Sequence, residues 1–152
     1  MDTFFEFIAQ YGIALPIIIL GVYFFLQPRT SWVRLALFAI PAGLLTYALG
    51  FLANHMYFDP RPFVVGHFTP LLPHAPDNGF PSDHTLLVSA FAAVGMFWNK
   101  WLGIALWAIA ILVAAARVYV GLHHPLDVVA SVVFALIAVS AWKVAMNRFY
   151  RA

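Results

Sequence analysis

The sequence predicts an all-α protein, a polytopic membrane helix bundle with about five transmembrane helices, and three observations carry that prediction. Of its 152 residues 64% are hydrophobic and only 9% charged, against roughly 25% charged in an average soluble domain. The mean hydropathy is +0.89, and so little charge excludes both intrinsic disorder and nucleic-acid binding. The apolar residues also come in long unbroken runs. A transmembrane barrel would show short alternating segments, whereas such runs suit helices, which satisfy their backbone polar groups internally. The absence of cysteine removes disulfides, thiolate metal sites and cysteine nucleophiles from consideration.

A bilayer core needs roughly 20 apolar residues per helix, and five stretches qualify or come close. The first runs from about Ile8 to Leu26 and contains Pro16. The second runs from about Trp32 to Phe51 or slightly further and contains Pro41. Internal prolines kink membrane helices without forbidding them. The third follows Pro81 and ends near Trp98, reaching full length only if Ser82-Asp83-His84 lies at its start. The fourth spans Trp101 to about Val120 and the fifth about Leu126 to Val144. The one long connection, Tyr57 to Pro81, is rich in Pro, His and Asp. The acidic start, Met1 to Glu6, lacks the basic region of a cleavable signal peptide, so the first helix is expected to be retained. A single transmembrane domain over residues 1–152 follows.

Five spans place the termini on opposite sides. Arg29, Arg34, Lys100, Lys143, Arg148 and Arg151 fall on the side of the carboxyl terminus, and only Arg61 and Arg117 on the other. The positive-inside rule makes the first side cytoplasmic and the second exterior. All six acids (Asp2, Glu6, Asp59, Asp77, Asp83, Asp127) and all six histidines lie at or near the exterior side.

Three clusters stand out there. Asn54 to Pro62 closes the second helix, Phe80-Pro81-Ser82-Asp83-His84 opens the third, and Arg117 to Asp127 bridges the last two. Pro125 is suited to open the fifth helix, which places Asp127 in its first turn. From there its carboxylate can reach back, hold one ring nitrogen of His123 and leave the other as a nucleophile. Ser82 suits an N-cap, and the free N–H groups behind it favour an anion. His84 is placed to donate a proton, and Arg61 and Arg117 to clamp phosphate oxygens. Taken singly, each has a plainer reading: an interfacial Arg that snorkels, a Ser that only caps, a structural His. His55, His67 and His74 stay unassigned on that ground, and Asp2, Asp59 and Asp77 read most simply as solvated charges. Trp32, Trp98, Trp101 and Trp142 read as an interfacial belt. The three clusters together favour function, because ionisable groups at a membrane edge are functional by default.

At these residues the sequence resembles the type 2 phosphatidic acid phosphatase family. That family carries a lysine separated by six residues from Arg-Pro, then Pro-Ser-Gly-His, then Ser-Arg followed at fixed spacing by His and Asp. The chain shows Arg61-Pro62, Pro81-Ser82-Asp83-His84, and Arg117 with His123 and Asp127 at the family spacing. It departs in having Asn54 for the lysine, Asp83 for the glycine and Ala116 for the serine. A protonated His55 is a candidate to supply the missing lysine's charge, in which case turnover should weaken as pH rises past the histidine range. The family bundle has six helices, and the first has no counterpart here.

The resemblance implies phosphohistidine chemistry without a metal or other cofactor. His123 is then the nucleophile, Asp127 its orienting carboxylate and His84 the general acid and base, with Arg61, Ser82, Asp83, Arg117 and Asn54 around the substrate phosphate. It also implies a membrane lipid substrate. The Phe-Pro-Ser-Asp-His and Asp-Pro-Arg-Pro-Phe stretches are most similar to the undecaprenyl (polyprenyl) diphosphate phosphatase branch, which recycles the carrier lipid of peptidoglycan synthesis and bears on bacitracin resistance. Three alternatives stand beside it. One is a phosphatase of phosphatidic acid, phosphatidylglycerophosphate or a lipid A phosphate. Another is a metal-dependent protein using His123, His124 and Asp127 as ligands, which chelation would inactivate. The last is a small anion-binding transporter or assembly subunit, for which the broken half-helices and internal repeat of transporters are not evident.

Overall fold

The computed structural model describes residues 1–149; Arg151, one of the six basic residues sorted above, lies outside them. The described residues form seven helices: α1 (Asp2–Tyr11), α2 (Ala14–Leu26), α3 (Arg29–Met56), α4 (Pro62–Val65), α5 (Asp83–Trp98), α6 (Lys100–Tyr119) and α7 (Pro125–Phe149). Helices α3, α6 and α7 are each long and apolar enough to cross a membrane, and α1 with α2 qualifies as a bent pair. The bundle is thus the polytopic helical one that composition predicts.

The first predicted span is corrected. It is two helices meeting at 49°, and it starts at Asp2 rather than near Ile8. The cause is Pro16, whose ring collides with a helical carbonyl four residues earlier and which has no N–H to offer. Four residues before it is Gly12, where α1 stops. Pro41 sits inside α3 without ending it. The short α4 inside the long connection was not foreseen.

The 16-residue α5 is the hub, packing against α6, α7 and α3, with α2 on a further side. Its buried positions are mostly small: Ser89, Ala90, Ala92, Ala93 and Gly95. Small residues let membrane helices approach closely, which is where lipid-embedded bundles find their packing energy. The tightest approach is at Gly103 of α6, where a Cβ would stand 2.3 Å from the Cα of Met96. Gly103→Ala is therefore expected to force α5 and α6 apart at a cost of about 1–3 kcal/mol, lowering the unfolding midpoint in detergent by about 3–10 °C. Gly21→Ala, where nothing lies within 4 Å of the added carbon, should leave that midpoint unchanged or slightly raised.

The connectivity gathers one set of helix ends. α3 and α6 finish, and α1, α5 and α7 begin, at the same end of the bundle, where the hydroxyl of Tyr119 donates to Asp2 at 2.8 Å. At the opposite end the basic residues rest on aromatic rings: Arg29 over Trp32, Lys100 over Trp101, and Lys143 over Phe38 and Phe97. Ammonium and guanidinium groups at an interface gain from aromatic faces while their stems stay in the apolar layer.

Candidate active site

Arg61, Arg117, His123 and Asp127 come together at the end where α3 stops and α5 and α7 start, with Ser82 tied to them through Asp127. Gly121, with φ +80°, makes the left-handed turn after α6, a conformation glycine adopts at little cost. That turn drops His123 into the bundle, where it is 3% exposed. Its Nδ1 lies 2.9 Å from the carbonyl oxygen of Gly79 and 3.5 Å from Oδ2 of Asp127. A carbonyl oxygen can only accept, so Nδ1 carries the proton and Nε2 keeps its lone pair. Nε2 faces Nη2 of Arg117 at 3.1 Å and Nη1 of Arg61 at 3.4 Å. Burial, aided by the charges of Arg117 and Arg61 and opposed by Asp127, holds the His123 imidazole below its ordinary pKa. It is an unprotonated nitrogen between two cations.

Each guanidinium is fixed by backbone. Pro62 confines Arg61 to extended geometry, seen as φ −58° and ψ 151°. Arg61 then donates from Nε to Asp77 at 2.6 Å, from Nη1 to the Leu122 carbonyl at 2.9 Å, and from Nη2 to the Asn78 carbonyl at 3.3 Å. Burial pushes the Asp77 carboxyl up, but the hydrogen bond and charge of Arg61 outweigh it and leave Asp77 below the usual carboxylate range. Arg117 donates from Nη1 to the carbonyl of Ala9 at 3.3 Å. Ala9 lies in the last turn of α1, whose carbonyls have lost their helical partners. The bend made by Pro16 thus supplies an anchor for Arg117. Its Nε is buried without a partner, a donor held in reserve.

Asp127 is fully buried, and its Oδ2 accepts the backbone N–H of His124 at 2.7 Å, the reach back across the first turn that its position predicts. Its main-chain carbonyl accepts the N–H of Ser82 at 3.4 Å, and the Ser131 hydroxyl donates to the Ser82 carbonyl at 2.9 Å. These contacts tie the second cluster to the third. Ser82 occupies the N-cap position of α5 but makes no side-chain cap; its Oγ instead accepts from Thr85 at 3.1 Å. His84 is half-buried. It lines a cavity of about 200 Å³ together with Gln10, His74, Arg117 and Leu122.

Other expectations are corrected. Asn54 does not point to the anion site: its amide donates to the Phe80 carbonyl at 2.8 Å, clamping the segment before Ser82. The exposed Asp83 lines a separate apolar cavity beside His84. His55 is exposed, with Nδ1 on the Phe51 carbonyl of its own helix and its ring 4.2 Å from that of Phe51. Asp2, Asp59 and Asp77 are not merely solvated charges: Tyr119, His124 and Arg61 partner them. Sequence reasoning also missed the Gly79 carbonyl, which is backbone and leaves no trace in residue type. It missed Asn78 as well, whose side chain binds the backbone of Asn54, Tyr57, Asp59 and Phe80.

For a metal, His123 is poorly placed to join His124 and Asp127, because its Nδ1 is held by the Gly79 carbonyl and its Nε2 faces two guanidinium groups. Asp59, His124 and Asp127 do bring ligand atoms within 4.8 Å of one another. Burial and the adjacent Asp127 charge push the Asp59 carboxyl up, with His124 pulling the other way. His124 Nδ1 and Asp59 Oδ2, 3.2 Å apart, already form an ion pair when His124 is protonated.

Two buried guanidinium groups converge on one neutral imidazole at the rim of an apolar helix bundle, an arrangement suited to phosphoryl transfer at a membrane. Comparison with known proteins gives the family. The family model described as PAP2 superfamily matches residues 31–151, and the chain belongs to that superfamily. It is 36% identical over 138 residues to the undecaprenyl-diphosphatase BcrC of Bacillus subtilis, an alignment covering 90% of this chain and 70% of that one. It is 35% identical over 111 residues to a lipid A 1-phosphatase of Rhizobium etli, covering 68% and 46%. The crystal structure of Aquifex aeolicus LpxE superposes with a TM-score of 0.75 at 25% identity, covering 93% of this chain and 84% of that one.

Proposed function

We propose that this membrane lipid phosphatase removes the terminal phosphate of a polyprenyl diphosphate through a phosphohistidine intermediate, at the exterior face of the plasma membrane. The observation that carries the reading is the pair of guanidinium contacts on Nε2 of His123, with Nδ1 held by an acceptor. Nε2 attacks phosphorus; the P–N bond forms as the bond to the leaving oxygen breaks, and His84 gives that oxygen its proton. His84 then takes a proton from water, which displaces His123 and releases phosphate. Arg61 and Arg117 neutralise the equatorial oxygens as charge develops, the role expected of fixed cations in phosphoryl transfer.

Similarity to BcrC over most of the chain supports the diphosphate substrate. A mostly apolar cavity of about 290 Å³ between α3, α5 and the break at Ile13, lined by Gly43, Thr46, Tyr47, Leu86 and Leu87, shares His84 with the cavity of about 200 Å³ at Arg117, which supports an apolar tail lying beside the reacting groups. The gathering of basic residues at the opposite end of the bundle supports an exterior site and a cytoplasmic carboxyl terminus. A lipid A phosphate is the second reading, favoured by the Rhizobium relative.

The two readings differ at His84. A prenyl phosphate leaves more readily than the alkoxide of a monoester and needs less protonation. His84→Ala is therefore expected to lower kcat/KM about tenfold on farnesyl diphosphate and about a thousandfold on phosphatidic acid, the second figure within the range of general acid catalysis and the first below it. Equal losses on both substrates contradict the diphosphate assignment.

A further inference from the structure

The cavity of about 200 Å³ beside Arg117 and His84 contains a group that the mechanism above does not use. Gln10 of α1 and His74 of the 66–81 connection line it on the side facing Arg117 and His84, with Leu72, Pro73 and Leu122 closing the rest. The Nδ1 of His74 lies 3.1 Å from the Ala75 carbonyl, and so donates to it, and 3.7 Å from Oδ1 of Asp77. That engagement leaves Nε2 as the free edge of the ring. Asp77 is itself held at 2.6 Å by Arg61, so the connection carrying His74 is pinned to the same guanidinium that faces His123. The side chain of His74 is 28% exposed, partly shielded at the mouth of the cavity. Arg117 lines the cavity, and its Nε is buried with no partner among the described residues.

A cavity of about 200 Å³ holds more than one phosphoryl group. Arg117, whose Nη2 faces His123, lines this cavity with His84, so a terminal phosphate seated on Arg117 leaves the remaining space to whatever is joined to it. For a diphosphate that is a second anionic phosphate, which needs donors; for a monoester it is a carbon chain, which does not. The donors present are His74, whose Nε2–H forms on protonation beside Asp77, and the amide of Gln10. We propose that His74, seconded by Gln10, binds the non-reacting phosphate of the substrate and so selects a diphosphate over a monophosphate. The assignment rests on the phosphatase reading and specifies its substrate.

The test compares His74→Ala, Gln10→Ala and His74→Lys with the parent enzyme on farnesyl diphosphate and phosphatidic acid, reading kcat and KM separately. Inorganic pyrophosphate and inorganic phosphate serve as competing anions. His74→Ala should raise KM for farnesyl diphosphate and Ki for pyrophosphate about tenfold, the loss of one charge-assisted hydrogen bond to a phosphate, with kcat on both substrates and Ki for phosphate within about twofold of the parent. Gln10→Ala should act in the same direction to a smaller degree. His74→Lys, which restores a cation at that place, should recover most of the loss, and that recovery also shows that the variant folds. An unchanged KM for farnesyl diphosphate, or equal losses toward phosphate and pyrophosphate, overturns the proposal. The pyrophosphate measurement does not depend on which group attacks phosphorus: if the phosphohistidine reading fails, His123→Ala stays active, whereas the ratio of Ki values still reports on His74.

Discussion

His123→Ala should lower turnover by at least about three orders of magnitude while the protein still folds and still binds inorganic phosphate. The size follows from the role. On the proposed phosphohistidine mechanism, losing the nucleophile removes the covalent route, and what survives is the rate that electrostatics and binding supply alone. The side chain is buried between Arg61, Arg117 and the Gly79 carbonyl, so alanine leaves a small polar hole and removes no apolar packing. Phosphate binding survives because its donors, the guanidinium groups, are anchored independently by Asp77, Leu122 and Ala9. The parent's pH profile adds a second reading. Because burial and the two arginines hold His123 below its ordinary value, the free base persists as pH falls, and the acidic limb of kcat/KM should lie below the unperturbed histidine pKa of about 6.5. An acidic limb above that value contradicts the geometry.

Arg117→Ala should be nearly as costly, lowering kcat/KM about a thousandfold, or about 4 kcal/mol of transition-state stabilisation. In the proposed mechanism Arg117 touches the nucleophile through Nη2 and lines the cavity that also holds His84, so one side chain both aims the attacking nitrogen and stabilises the oxyanion. A snorkelling arginine at a helix end would show no such sensitivity. Arg117→Lys should recover only a small part, because an ammonium cannot reach Ala9, His123 and the anion together as a planar fork does. A lysine variant with activity near the parent's would mean that only charge is needed at this position.

The spans and the three clusters were legible because they rest on periodic apolarity and residue type, which sequence displays directly. Arg61, His84, Arg117, His123 and Asp127 could be read as a group because each is a chemically distinctive residue at a helix end. The misreadings share one cause. Asp59, Asp77 and Asp2 looked like solvated charges, since their partners lie up to 117 positions away along the chain. Asn54 looked like a substitute for a lysine, but its short amide reaches the neighbouring loop backbone and goes no further. The acceptor nearest to Nδ1 of His123 is a peptide carbonyl, which every residue possesses and none advertises. The break in the first span was partly visible in Pro16; its consequence, a freed carbonyl for Arg117, required the packing of α1 on α6.

The central claim is tested most directly by trapping the intermediate. Enzyme mixed with a prenyl diphosphate labelled in its terminal phosphate, and quenched in alkali during the first turnover, should carry one alkali-stable, acid-labile phosphoryl group on the peptide containing His123, and His123→Ala should carry none. Release of labelled phosphate in that first turnover with no label on the protein, or equal labelling of the His123→Ala variant, would contradict the account.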